Sequence, residues 1–369
     1  MGALAMRRWV RTIPKPAVLI LCMPLSLALS LTNTHPGVTF VVSALAILGL
    51  ISLIAKATGE VSLYTGPVIG GLLNATFGNF TELVIGFFAI NQGLHTLVRA
   101  SLTGSILGNL LLVMGLSMFC GGLKYKHQRF SQTGANAAIL MLVVALVALV
   151  IPSFVHYGYR LDPAMTDTIA QRLVNNFSIG ASVLLLIMYG LHLVFSLKSH
   201  RFAYMPKVAE MEKPEWKKGV ALSVLSLVAL LVTFESDIFV KAIEEMLYVR
   251  RIAFSELFLG VVVVAAIGNA VDGAVAIVMA RKNKMDLSFQ VAMGASIQVA
   301  LLIAPILVLY SFLVAKPLTL AFNVFELIAI WGGVTIAGYS LLDGESNWFE
   351  GALFIGIYLL MAIVFFFHP

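Results

Sequence analysis

Apolar residues fill this chain in long runs, and short stretches between them hold most of the charge. Eleven runs stand out: 17–31, 38–55, 66–90, 97–119, 136–153, 178–196, 218–240, 257–280, 289–313, 322–340 and 351–367. A membrane-spanning helix needs roughly 17–25 predominantly apolar residues. The pattern therefore predicts an all-α integral membrane protein with about eleven transmembrane helices. The first run is short, contains Pro24 and follows Arg7, Arg8 and Arg11. Those features also fit the apolar core of a signal peptide. No clear small-x-small cleavage site follows, so a retained extra helix is the expectation.

Composition strengthens this picture. The chain is 60% hydrophobic and 11% charged, whereas soluble domains carry about a quarter charged residues. Lipid must cover much of the apolar surface. A net charge of +6 could suggest nucleic acid, but Lys and Arg fall between the apolar runs, as cytoplasmic loops require. With the N-terminus inside, 17 of the 24 basic residues are cytoplasmic, six of them between Lys198 and Lys218. The expected orientation is N-terminus in and C-terminus out. Cys22 and Cys120 both lie in apolar runs, which supports neither a disulfide framework nor a zinc cluster.

The main charge cluster, 197–217, also holds Glu210, Glu212 and Glu215, and reads as a solvated linker. It divides a pair of repeats. Gly78-Asn79-Phe80-Thr81-Glu82 recurs as Gly268-Asn269-Ala270-Val271-Asp272, and Gly104-Ser105-Ile106 recurs as Ala295-Ser296-Ile297. The order is kept in both copies: a helix broken by Gly-Asn, a carboxylate three residues on, then a helix bearing Ser-Ile. Five predicted helices separate equivalent positions, and an odd number reverses the direction of crossing. The repeat is thus inverted, a design that places substrate sites near the midplane. The expected organisation is an N-terminal tail and extra helix over 1–37, a five-helix repeat over 38–196, a cytoplasmic linker over 197–217, and a second five-helix repeat over 218–369.

The repeated motif has the chemistry of a hard-cation site. Glu82 and Asp272 lie well inside apolar runs, where an ionised carboxylate is costly and normally marks a pathway or a pair. Calcium takes six to eight oxygen ligands. Two carboxylates would cancel its charge, and Asn79, Asn269, Ser105, Ser296 and Gln298 could add neutral oxygens. Gly-Asn ahead of each acid can interrupt the helix and free backbone carbonyls. No thiolate or imidazole lies in these segments, which argues against zinc or copper. Two bare carboxylates together would be unstable, so such a site is filled by the cation or by protons. That exclusivity is a physical basis for antiport. Elsewhere, Gly66 with Gly70 and Gly104 with Gly108 read as close-packing pairs, and His192 as an interfacial residue.

With these residues in view, the chain resembles the cation/proton exchanger family of the calcium/cation antiporter superfamily. Gly70-Gly71-Leu72-Leu73-Asn74-Ala75-Thr76-Phe77-Gly78-Asn79, followed by Glu82-Leu83, is similar to that family's first repeat. Lys282-Asn283-Lys284-Met285-Asp286-Leu287 and Ala295-Ser296-Ile297-Gln298 are similar to its second, and the tail from Asp343-Gly344 through Ser346-Asn347-Trp348 to Phe367-His368-Pro369 is typical. The resemblance runs from about residue 38 to the C-terminus. It implies eleven helices, calcium transport driven by a proton gradient, and one essential acid per repeat, here Glu82 and Asp272. It further implies supporting roles for Asn79, Asn269, Ser105, Ser296 and Gln298, and acidic positions near the cation entrances at Glu60 and Asp237. The sequence departs in one place: Asp272-Gly273 stands where the family usually has Glu-His.

The expected activity is calcium/proton antiport by alternating access, without a cofactor, calcium being the transported ion. Exchange of sodium, potassium or manganese on the same scaffold is the alternative. A passive channel would usually be built around a symmetric multi-subunit pore, and an intramembrane enzyme would need a motif such as Gly-x-Ser-x-Gly or His-Glu-x-x-His, which the chain lacks. The expected partners are calcium, protons and the lipid bilayer, with a homo-oligomer left open. A bacterial inner membrane is the expected location, a vacuolar membrane the alternative.

Overall fold

The computed structural model describes residues 14–32, 35–158, 166–199, 214–249 and 255–367. Arg7, Arg8, Arg11, Glu210 and Glu212 lie outside the described residues, as do His368 and Pro369. Twelve helices run through the described chain: α1 (Lys15–Thr32), α2 (Pro36–Gly66), α3 (Ile69–Phe77), α4 (Phe80–Asn91), α5 (His95–Gly122), α6 (Gln132–Gly158), α7 (Asp167–Leu197), α8 (Lys218–Val249), α9 (Glu256–Arg281), α10 (Met285–Leu313), α11 (Val324–Ser340) and α12 (Trp348–Phe367). Nine of them are long and apolar enough to cross a membrane. The bent pair α3–α4 makes a tenth, and α11 is a shorter apolar helix.

The helix ends follow local chemistry. Pro36 opens α2 in the first turn, where its missing N–H costs nothing. The hydroxyl of Ser255 accepts from Phe258 N at the start of α9. Asn323 and Glu326 form a reciprocal capping box at the start of α11. Large apolar side chains cover the outer faces: Leu140, Val147 and Phe154 on α6, Leu227 and Leu230 on α8, Ile328 and Trp331 on α11. Water-soluble monomers do not expose apolar faces on this scale. The protein is integral to a membrane.

Three local expectations are corrected. The run read as 38–55 continues as helix to Gly66, so Lys56 lies on α2 and not in a loop. Lys56 and Glu60 stand four residues apart and pair across one turn, which lets a charged stretch remain helical. Gly66 is a turn rather than a packing glycine. Its φ of 79° is a left-handed conformation that favours glycine, and it reverses the chain into α3. Finally, Gly78-Asn79 does break its helix, with a 41° bend between α3 and α4, but Gly268-Asn269 does not. Residues 265–281 are continuous α-helix. The Asn269 side chain bonds to a neighbouring helix instead of competing for its own backbone.

The chain forms two compact units that cut across the sequence repeats. The first, Met1–Phe88 with Lys207–Ala253, contains α1, α2, α3, most of α4 and α8. Leu50, Ile54, Ala57 and Val61 make one stripe along α2. It packs on Ala221, Leu225, Val228 and Val232 of α8, around the buried Trp216. Both stripes repeat at three- and four-residue steps, the spacing of one helix face.

The second unit, Ala89–Pro206 with Phe254–Pro369, is centred on α5 and α10, the two helices most enclosed by their neighbours. Here α5 and α9 touch at backbone distance. A Cβ on Gly104 would stand 2.2 Å from the Val261 carbonyl oxygen, so only glycine permits this crossing. At one end of the unit, β1 (Gln128–Arg129) pairs antiparallel with β2 (Glu345–Ser346), Gln128 opposite Ser346. An Arg129–Glu345 ion pair of 2.9 Å reinforces the ribbon.

Candidate cation site

In the second unit, α5, α9 and α10 each change pitch beside a residue singled out in the sequence. A π-helical turn spans Gly108–Val113 in α5, another spans Leu259–Val264 in α9, and a third spans Val299–Ile303 in α10. Such wide turns recur at functional sites. Ser105 and Asn109 lie one turn apart on α5, Asn269 and Asp272 one turn apart on α9, and Ser296 and Gln298 close the last α-helical turn before the π turn of α10.

These residues interlock. The Asn109 amide donates to Asn269 Oδ1 at 3.0 Å, and the Asn269 amide donates to the Ser105 carbonyl oxygen at 3.2 Å. The Ser296 hydroxyl bonds to the Ile106 carbonyl oxygen at 3.2 Å and, in its own helix, to that of Ala292 at 3.2 Å. All four polar residues are buried. Residues from both sequence repeats thus meet through neutral amides and hydroxyls, with Asp272 half-buried one turn beyond Asn269. Asn109 was not singled out in the sequence, because no carboxylate follows it at the motif's spacing. Its own side-chain oxygen is wholly buried and accepts no hydrogen bond. A buried acceptor left unused costs roughly 1–3 kcal/mol, so its retention points to a use.

Asn79 and Glu82 belong to the first unit and are described there. Asn79 is buried in the bend between α3 and α4, and its carbonyl oxygen accepts from Leu83 N at 3.1 Å. Glu82 falls in the first turn of α4. The N–H groups of a first turn lack intrahelical partners and the helix dipole there favours an anion. Asp272, in mid-helix, has no such help. The two acids of the repeat therefore sit in unlike backbone settings.

The two residues expected at entrances differ from each other. Asp237 lines a cavity of about 340 Å³ together with Ser30, Thr39, Lys241 and Glu245, and pairs with Lys241 at 2.7 Å. Glu60 is 3% exposed and fully engaged: it accepts from the backbone N of Glu215 at 2.9 Å and of Trp216 at 3.0 Å, and pairs with Lys56 at 2.8 Å. A second acid on α8 was passed over in the sequence. Glu235, facing Ser26, is wholly buried, in an apolar run that also carries Thr233, Ser236 and Asp237. His192 is half-buried near the end of α7.

A helical membrane protein whose two sequence repeats converge on amides, hydroxyls and a carboxylate at irregular helix turns is a secondary carrier. The comparisons define the kind. Residues 35–198 and 220–367 match the family described as "Sodium/calcium exchanger protein", and the chain belongs to that family. It is a transporter and not an enzyme. The Ca(2+)/H(+) antiporter ChaA of Bacillus subtilis (strain 168) is 43% identical over 350 residues, 93% of this chain and 96% of that one. The vacuolar calcium ion transporter of Schizosaccharomyces pombe is 33% identical over 355 residues, 95% and 84% of the two chains. The solved structure of native YfkE superposes with a TM-score of 0.79 at 38% identity, covering 95% of this chain and 99% of that chain.

Proposed function

We propose that this protein exchanges calcium for protons by alternating access, with Glu82 and Asp272 as the acids that take up the two ions in turn. The observation that carries the reading is the buried joint of Asn109, Asn269 and Ser105, in which the Asn109 amide oxygen is unused and Asn269 stands one turn before the motif's carboxylate. Neutral oxygens backed by carboxylates suit a hard divalent cation, whose flexible shell tolerates mixed ligands. Asn79, Asn269, Ser105, Ser296 and Gln298 act as supporting groups, and Asp237 stands at an entrance. Relatives named as Ca(2+)/H(+) antiporters, matched along nearly their whole length, support the same ion pair.

The protein works in the lipid bilayer, with its N-terminus in the cytoplasm, in the inner membrane of a bacterium. Uptake into proteoliposomes under an imposed pH gradient tests the function. Saturable calcium flux that follows the gradient is expected, and its absence with either protons or sodium as counter-ion would defeat the reading. One observation favours a second cargo. Asp272 is a methylene shorter than glutamate and is followed by Gly273, which shifts the ligand set on α9. Manganese is the competing cation to include in the same assay.

A further inference from the structure

Three side chains at successive turns of α2, Lys56, Glu60 and Tyr64, all grip the same short segment ahead of α8. Lys56 bridges to the carboxylates of Glu60 and Glu215 and lies 5.9 Å from the Trp216 ring centre. Glu60 takes two successive backbone N–H groups, those of Glu215 and Trp216, on one oxygen. The Tyr64 hydroxyl donates to the Trp216 carbonyl oxygen at 2.7 Å. Trp216 itself is 2% exposed, set among Leu50, Ile54, Ala57 and Val61 of α2 and Ala221 and Leu225 of α8.

We propose that Glu60 is a positioning residue and not a cation ligand: with Lys56 and Tyr64 it forms a ladder that fastens residues 214–217 to α2 and fixes where α8 begins. The chemistry distinguishes the two roles. An entrance acid holds its cargo loosely and needs oxygens open to water. The Glu60 carboxylate is buried, and its two oxygens already face three donors, one of them a tethered ammonium. Two of those donors are main-chain N–H groups next to a buried tryptophan, where no water can replace the carboxylate. The ladder ends two residues before the Gly66 turn, so it also anchors the stretch from which the chain reverses into α3.

The test uses full-length protein in which Trp9, Trp331 and Trp348 are replaced by phenylalanine, leaving Trp216 as the only tryptophan, excited selectively over the tyrosines. Acrylamide quenching reads the ladder, and calcium flux in proteoliposomes reads transport. Only the flux arm rests on the proposed exchange activity; quenching reports on the ladder even if that activity is wrong. In Glu60→Gln the amide oxygen still accepts both N–H groups. Trp216 should stay shielded and the calcium KM should hold within about twofold. In Glu60→Ala, quenching should rise several-fold and turnover should fall roughly tenfold, again with KM within about twofold. A tenfold rise in KM for Glu60→Gln with Trp216 still shielded would make Glu60 a cation ligand and overturn the proposal, as would unchanged quenching and turnover in Glu60→Ala. Should Glu60→Ala not fold, Lys56→Met takes its place, with increased quenching at constant KM expected and unchanged quenching counting against the ladder.

Discussion

The side chain of Asn109 donates to that of Asn269 across 3.0 Å, a bond between α5 and α9, the helices that carry a piece of each sequence repeat. Asn269 is used at both ends, since its amide also reaches the Ser105 carbonyl. A double-mutant cycle measures the joint. Asn109→Ala and Asn269→Ala should each destabilise by roughly 1–3 kcal/mol, because each strands a buried partner. Together they should cost clearly less than the sum, with coupling of about 0.5–3 kcal/mol. Thermal unfolding in detergent gives the four values, and strict additivity would mean that the bond contributes nothing.

Glu82→Gln and Asp272→Asn should each reduce gradient-driven calcium flux to background while the purified proteins unfold near the parent temperature. Both substitutions keep size and remove charge. Each removes one of the two acids proposed to take up calcium and protons, and with it a charge that would offset the cation's in a low-dielectric setting. Near-normal flux in either variant would take that residue out of the site.

Calcium affinity should fall as pH falls. In the proposed exchange protons and calcium compete for the same carboxylates, so each proton displaced on binding adds up to about tenfold in apparent affinity per pH unit. The direction follows from mass action: more protons, less calcium bound. Calorimetry between about pH 8 and the ordinary carboxylate range near 4 reads the slope, and a flat profile would remove the coupling scheme.

Asp272→Glu should keep turnover and change cation preference. Lengthening this side chain by a methylene advances its oxygens and leaves less room for a water among the ligands. Calcium accommodates a larger and more variable shell than smaller divalent ions, so the ratio of calcium to manganese flux should drop. An unchanged ratio would mean that the length of this acid does not set selectivity.

Much of this was legible in the sequence, for reasons that particular residues make plain. Apolar runs mark helices because lipid and packing both require them, and Pro36, Ser255 and Asn323 mark helix starts because each resolves an orphan backbone group. The repeated Gly-Asn-x-x-acid drew attention to Asn269 and Asp272. Asn109 escaped because its importance lies in a partner 160 positions away, and spacing along one helix carries no trace of it. Lys56 reads from sequence as a cytoplasmic charge between runs and Glu60 as an entrance acid, because their partners, Glu215 and Trp216, are equally remote. The same Gly-Asn dipeptide bends the chain between α3 and α4 and leaves α9 straight, so backbone propensity alone does not decide between them. The division into compact units follows packing among α1, α2 and α8, which the order of the repeats does not encode.

The hydrogen bonds described among α5, α9 and α10 join asparagine and serine side chains to one another and to main-chain carbonyls. None of these groups gains or loses a proton in the working range of a cell. Acidification therefore finds nothing to titrate in these hydrogen bonds. A swing in pH thus leaves this set of bonds among the three helices as it was.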